Sequence, residues 1–500
     1  MSSRTALKEL RRHRVPAWWS DAKVGIFIHW TPAAVPGWAP VDSEIGDLLA
    51  AGREDALAEN PYTEWYENSI RFPQSSASRH HRETYGDKPY SDFAEEFSEA
   101  LASWNPDDWA RSFAATGARY VVLVAKHHDG WCLWPTEVVN PNRPNWFSRR
   151  DIVGELREAV LATGMRFGVY YSGGLDWTFD DRPIGNLGDM LAAIPRGDYP
   201  AYADAQVREL IDRYSPSVLW NDIAWPSTGA ELWPTMQHYY RRVPDGVVND
   251  RWMPWSPAMA AAGLKPVRRA ANSLNARVTR SSRGLVPPKP PHFDVRTPEY
   301  VVFDDVQRHP WECVRGMDQS FGYNRNSGPD HFLSDGELLE MTGDIVAKGG
   351  NLLLNVGPKG EDATIPDRQL SLLGTLGNWT GSQGASIFAA ATMDTPGRRV
   401  GRRTRSALLG ERPFAVRGGR PARWVLEQGW GLGQHRDPAR GGSLTHHRGE
   451  DRLRRTGHPH RRTGGSAMRL DPVGSVVGAG DHRRPLSLIP SEVQPLGLVT

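Results

Sequence analysis

Six short stretches of almost unbroken apolar residues, each ending on polar side chains, limit the folds open to this chain. They are Val24 to His29 (VGIFIH), Tyr120 to His128 (YVVLVAKHH), Arg166 to Ser172 (RFGVYYS), Ser217 to Asp222 (SVLWND), Gly246 to Asp250 (GVVND) and Asn351 to Val356 (NLLLNV). Runs this short and this apolar read as strands covered on both faces, which is the pattern of parallel strands. Helical periodicity falls between them. Ile152, Val153, Leu156, Ala159 and Val160 recur at helical spacing up to Gly164, where a helix end favours glycine. Ser334 and Glu337 make a capping-box pair ahead of Leu338, Leu339 and Met341. Strands alternating with helices imply β/α units on a parallel sheet. Because polar, reactive residues stand at the C-terminal ends of several strands, the sheet is expected to close into a (β/α)8-like barrel.

Composition excludes several classes. Two cysteines, Cys132 and Cys313, rule out a disulfide-dense scaffold and a cysteine zinc cluster. No stretch approaches the ~18 apolar residues of a membrane helix. The start of the chain (Lys8, Arg11, Arg12, Arg14, Trp18, Trp19) lacks the apolar run of a signal peptide, so a soluble cytoplasmic protein is expected. The net charge of +2 hides an uneven distribution: Arg398 to Thr500 holds 20 arginines against eight acids, a charge of +12, which leaves −10 on residues 1–397. A mildly acidic body gives no sign of a nucleic-acid partner, and nothing suggests a membrane partner.

The strand ends hold the residues with chemistry to offer. His127, His128, Asp129 and Gly130 follow YVVLVAK. Three readings fit: a structural turn, a metal site, or a site for a hydroxyl-bearing substrate, since histidine both donates and accepts hydrogen bonds. Adjacent strand residues point to opposite faces, so both rings can reach one ligand only if the chain bends. Asp222 stands two residues after Trp220, on the same strand face. An aspartate after a strand is ordinarily a turn or cap residue, but a carboxylate beside a flat apolar ring also suits a sugar held against a nucleophile. Arg251, after GVVND, reads as a surface cation or as a positioner of a carboxylate or hydroxyl. Glu299, in Thr297-Pro298-Glu299-Tyr300, reads in isolation as an ordinary exposed glutamate. Tyr62, Glu64, Trp65 and the His29-Trp30 pair fit core or rim packing equally well. Twenty tryptophans, several just after strand ends, suit stacking on a sugar. Hydrolysis of a glycosidic bond takes one carboxylic acid and one carboxylate, about 5–5.5 Å apart where configuration is retained, and Asp222 and Glu299 are candidates for that pair.

As a set, these segments resemble glycoside hydrolase family 29, the α-L-fucosidases. The matching stretches are GIFIHW (25–30), EWY (64–66), YVVLVAKHHDGWCLW (120–134), RFGVYYSGGLDW (166–177), SVLWNDIAWP (217–226), VVNDRW (247–252), RTPEY (296–300), SFGYNRNSGP (320–329) and GGNLLLNVGPKG (349–360). The resemblance runs from about residue 17 to about 390. It implies a retaining exo-glycosidase on a (β/α)8-like barrel, without metal or organic cofactor, acting on terminal fucosyl residues of an oligosaccharide or glycoconjugate. Asp222 matches the nucleophile, and Glu299 matches the general acid/base of the bacterial branch. His29, His127 and His128 match the histidines that hold fucose hydroxyls. Glu64, Trp65, Tyr170, Trp220 and Arg251 match the rest of that pocket, and Phe27 and Phe321 match the apolar wall facing the sugar's methyl group. The charge of Asp222 is expected to raise the pKa of Glu299.

Two departures follow from the same comparison. Arg251 and Glu299 lie 48 positions apart, where the family's common bacterial pattern sets them much closer. Residues 252–292, rich in Ala, Arg and Pro, are therefore expected to form an excursion with helical character ending in a polyproline-like piece. If that excursion displaces Glu299, the alternative is a catalytically impaired fucose-binding protein. The catalytic domain is expected to span residues 1–390. Beyond it, residues 391–500 stand in place of the family's C-terminal β-sandwich. Their Arg, Gly and His content resembles a coding sequence read out of frame, which predicts a poorly ordered region and a shifted frame near residue 395. A homo-oligomer is compatible with all of this.

Overall fold

The computed structural model describes residues 3–389, residue 283 excepted; the expectations for residues 391–500 lie outside the described residues. Seven strands form one parallel sheet: β1 (Val24–Ile28), β2 (Tyr120–Lys126), β3 (Arg166–Tyr171), β4 (Val218–Asn221), β5 (Val247–Val248), β6 (Trp311–Arg315) and β7 (Gly350–Val356). Their spatial order is β5-β4-β3-β2-β1-β7-β6. Ile26 pairs with Val121 of β2 on one side and with Leu354 of β7 on the other. Gly25 lies against the Tyr120 ring so closely that a β-carbon would collide with it.

Two apolar layers follow from the two-residue period of a strand. In β2, Val122 and Val124 point into the lumen beside Phe27, Tyr170, Val218, Trp220, Val314 and Leu353. Val121 and Leu123 point outward, onto a layer shared with Leu156, Val160 and Leu210 of the surrounding helices. Those helices return the chain between strands: Ile152–Ala162 before β3, Tyr199–Tyr214 before β4, Gly229–Arg242 before β5 and Asp335–Ala347 before β7. Asp151 caps the first through Gly154 N, and Ser334 with Glu337 forms the expected capping box on the last. No helix among the described residues is long and apolar enough to cross a membrane.

The ring closes through an irregular segment. Residues 294–300 lie between β5 and β6. Asp294 N and Val295 N donate to Val248 O at 3.0 and 3.2 Å, while Glu312 N donates to Arg296 O at 2.9 Å and Tyr300 N to Val314 O at 3.0 Å. Parallel bridges join Arg296 to Trp311 and Glu299 to Val314. Pro298 lacks an N–H and keeps the segment from forming a regular strand. Eight positions thus run in chain order around the barrel, and Glu299 sits at the C-terminal end of the sixth.

The chain between Trp252 and His292 leaves the ring as helices Pro257–Ala261 and Lys265–Ser282. It returns through Leu285, whose backbone pairs with that of Glu299: Glu299 N donates to Leu285 O at 2.8 Å and Leu285 N to Glu299 O at 3.3 Å. The excursion is therefore anchored on Glu299 itself, which lies in the segment between β5 and β6.

Candidate active site

The polar strand ends converge on one pocket of about 750 Å³, open mouth included, lined by all twelve residues singled out above. After Lys126 the chain leaves β2 in a turn closed by Gly130 N on His127 O at 3.1 Å, with Gly130 at φ +75°. That turn removes the alternation that would have sent the two histidines to opposite faces. Their ring centroids lie 4.0 Å apart and both line the pocket.

Each histidine has a defined partner or a defined lack of one. Asn355 Nδ2 donates to Phe321 O, so its Oδ1 faces His29 Nδ1 at 2.6 Å and accepts from it. His29 Nε2 is left as an acceptor. Ser172 Oγ spends its hydrogen on Leu175 O at 2.6 Å and accepts from His128 Nδ1 at 2.6 Å, which leaves His128 Nε2 in the same state. His127 lies parallel to Tyr170, centroids 5.5 Å apart, and its buried Nδ1 finds no hydrogen-bond partner among the described residues. Burial lowers the pKa of His29 to about 4 and those of His127 and His128 well below the usual value, so all three are neutral at pH 7.

Arg251 is buried, with 6% of its surface exposed, which removes the surface-cation reading. Its guanidinium lies between two carboxylates: Nη1 meets Asp222 Oδ1 at 2.9 Å and Nη2 meets Glu299 Oε1 at 2.5 Å. The plane sits 4.6 Å from the Trp220 ring centroid, and Nη2 also donates to Thr297 O at 3.2 Å. Asp222 Oδ2 accepts from Tyr170 OH at 2.8 Å, and its Oδ1 from Ile223 N at 2.7 Å. Glu299 Oε2 accepts from Tyr62 OH at 3.4 Å. Glu299 is buried, not the exposed glutamate that its sequence surroundings suggest. Its pKa is raised, first by burial; Arg251 opposes the shift and the Asp222 charge adds to it, so the expected cause is present but secondary.

Both carboxylates sit at sharp bends. Ile223 follows Asp222 with φ +66°, and Tyr300 follows Glu299 with φ +54°. A left-handed backbone at a β-branched or bulky aromatic residue is strained and persists only where neighbours fix it. Here Ala224 N and Gly174 N hold Asp222 O at 2.9 and 3.2 Å, and Tyr300 N is bound to Val314 O.

The remaining wall is set by Glu64, Trp65 and the phenylalanines. Glu64 Oε2 accepts from Gly322 N at 2.9 Å, and burial raises its pKa to about 7. Trp65 meets His128 edge-on at 5.2 Å. Phe27 lies 4.5 Å from His29 and 5.4 Å from Trp220, and Phe321 stacks on His29 at 5.0 Å. His29, Glu64 and His127 bring potential ligand atoms within 4.8 Å of one another, a set able to hold a metal ion, although not the adjacent pair that the sequence suggests. Sequence reasoning gave Tyr62 no role at Glu299 and passed over Asn355, whose signal was an amide near the end of the otherwise apolar run LLLNV.

Glu312 lies beneath Trp220 in the lumen and was also missed. Its Oε2 accepts from Tyr120 OH at 2.7 Å and its Oε1 from Trp220 Nε1 at 3.3 Å, and burial raises its pKa to about 7. A raised pKa means that the fold favours the neutral form. Stability from this group is therefore complete below the ordinary carboxylate range and falls as pH rises towards about 7. Glu312→Gln can accept from Trp220 and donate to Tyr120 OH. Its Tm relative to the parent is expected to rise between about pH 5 and about pH 8. Parallel Tm curves for the two chains would remove the argument.

An Alpha-L-fucosidase family model matches residues 2–385. Tissue alpha-L-fucosidase of Rattus norvegicus is 28% identical over 385 residues, covering 75% of this chain and 70% of that protein. A solved alpha-L-fucosidase shares 43% identity at a TM-score of 0.64, covering 76% of this chain and 78% of its own. The Thermotoga maritima alpha-fucosidase solved with a mechanism-based inhibitor shares 42% at a TM-score of 0.62, covering 76% and 77%. The match spans the whole barrel and every strand end that lines the pocket, and the chain belongs to the alpha-L-fucosidase family.

Proposed function

We propose that this chain is an exo-acting α-L-fucosidase that releases terminal α-L-fucosyl residues with retention of configuration, through a covalent intermediate on Asp222. The observation that carries the reading is the single buried guanidinium of Arg251 shared by Asp222 and Glu299 at the floor of a pocket lined with neutral histidines.

In the first step an Asp222 oxygen attacks the anomeric carbon as Glu299 protonates the departing glycosidic oxygen. Burial raises the Glu299 pKa and so favours the protonated form that this step requires. Ester formation then removes the Asp222 charge and leaves Arg251 facing Glu299 alone. Both changes lower the Glu299 pKa, so the residue that gave a proton now takes one from water, and the ester is hydrolysed. His29, His127, His128 and Glu64 serve the sugar hydroxyls, with Trp65 beside them. Phe27 and Phe321 face the C6 methyl, so a C6 hydroxyl would be left unpaired there.

The test is hydrolysis of an aryl α-L-fucoside by the full-length chain in excess chelator. Release of the aryl alcohol, with α-L-fucose as the first-formed sugar, is expected. A chain that binds fucose but releases nothing would establish the impaired binder instead. Turnover lost only on chelation would point to a metal on His29, Glu64 and His127.

A further inference from the structure

Beyond the sugar-binding floor, much of the pocket wall comes from three segments remote in sequence: helix Ile45–Ala51, helix Leu187–Ala192 and the excursion helix Lys265–Ser282 with the chain that follows it. The excursion helix is clamped to the other two by its polar groups. Arg268 pairs with Asp189 at 3.1 Å, Arg269 with Glu54 at 3.3 Å, Arg280 donates to Ala50 O at 2.7 Å, and Gly188 N donates to Asn272 Oδ1 at 3.3 Å. With those cations committed to the clamp, the side chains these segments turn to the pocket are Ile45, buried, Leu49, Leu187, Met190 and Leu285, all half-buried, and one amide, Asn275.

This wall stands on the leaving-group side. Glu299 is the group that protonates the departing oxygen, so the aglycone must emerge beside it, and Leu285 is paired backbone to backbone with Glu299. Apolar side chains there gain from covering an apolar group. Facing a second sugar they would leave most of its hydroxyls without partners.

We infer that the excursion completes an apolar leaving-group subsite, and that the chain prefers α-L-fucosides of aryl-bearing or bulky alkyl alcohols to fucosylated sugars. This rests on the fucosidase reading. The subsite is formed by the clamped excursion helix, so its selectivity belongs to the 48-position spacing between Arg251 and Glu299.

The experiment compares kcat/KM of the full-length chain on benzyl α-L-fucoside, methyl α-L-fucoside and a fucosyl-galactose disaccharide. All three leave as alcohols, but only benzyl fills an apolar subsite without presenting hydroxyls. Benzyl is expected to exceed the disaccharide by about tenfold or more. Met190→Asn and Leu49→Asn are each expected to lower the benzyl value about tenfold while leaving methyl unchanged, since methyl does not reach the wall. A disaccharide turned over as well as benzyl, or variants that depress methyl and benzyl alike, would overturn the subsite while the fucosidase reading stood. No turnover of any of the three, methyl included, would strike the fucosidase reading itself and this one with it.

Discussion

Glycine in place of Asp222 is expected to lower kcat on an aryl α-L-fucoside by at least about 10⁴-fold, the scale on which removal of a covalent nucleophile acts. The loss follows from the position of the carboxylate. Its two oxygens take hydrogen bonds from Tyr170, Ile223 and Arg251, and no other carboxylate shares both Arg251 and Tyr170 with it among the described residues. The variant keeps those donors and gains a cavity. A small anion such as azide has room there, attracted by the freed Nη1 of Arg251, and attack from that side would give the β-L-fucosyl azide. Partial recovery of rate with that product would identify the attacking face as the Asp222 face. A variant with parental kcat, or a rescued product of α configuration, would remove Asp222 from the role. Asp222→Asn is the companion, since it keeps the shape and most hydrogen bonds while removing the charge. Equal losses in the two variants would locate the effect in nucleophilicity and not in a collapsed pocket.

What the amino-acid order made legible was the part of the fold written in apolar runs. Six strands announced themselves because their side chains are buried on both faces, and the residues that end those runs are the ones that meet in the pocket. β6 did not, because Glu312 and Arg315 break its pattern; a carboxyl in the lumen is tolerated there only by accepting from Tyr120 and Trp220. The sixth barrel position was hidden for a different reason. Pro298 and the polar residues Asp294, Arg296, Thr297 and Glu299 read as a loop, and only cross-chain hydrogen bonds to Val248 and to β6 make it a wall of the barrel. The site shows the same division. Asp222 was visible from Trp220 two residues earlier. Arg251 and Glu299 carried no local signal, since their burial depends on contacts remote in sequence, such as Arg251 with Thr297, 46 positions away, and the family resemblance supplied what periodicity could not. The wall made by Leu49, Met190 and Leu285 was not legible either, because three segments far apart in sequence have to meet before it exists.

Glutamine in place of Glu299 is expected to separate substrates by leaving group. With an alkyl or sugar alcohol, which departs only when protonated, kcat should fall by about 10²–10⁴-fold, the range supplied by a positioned general acid. With a nitrophenyl leaving group the first step needs little help, so the ester on Asp222 should form and accumulate as a burst while its hydrolysis, now without a base, is slow. Azide needs no base. It should accelerate turnover of the nitrophenyl substrate and give the α-L-fucosyl azide, opposite in configuration to the product expected from Asp222→Gly. The pH profile carries the independent check. Activity requires the protonated acid, so kcat/KM of the parent should fall as pH rises through the Glu299 pKa, which burial raises. Glu64 lines the same pocket with a pKa raised to about 7, and its ionisation would bend the profile in the same direction. The variant tells the two apart: loss of the basic limb in Glu299→Gln assigns that limb to Glu299, whereas a limb that persists near pH 7 belongs to Glu64.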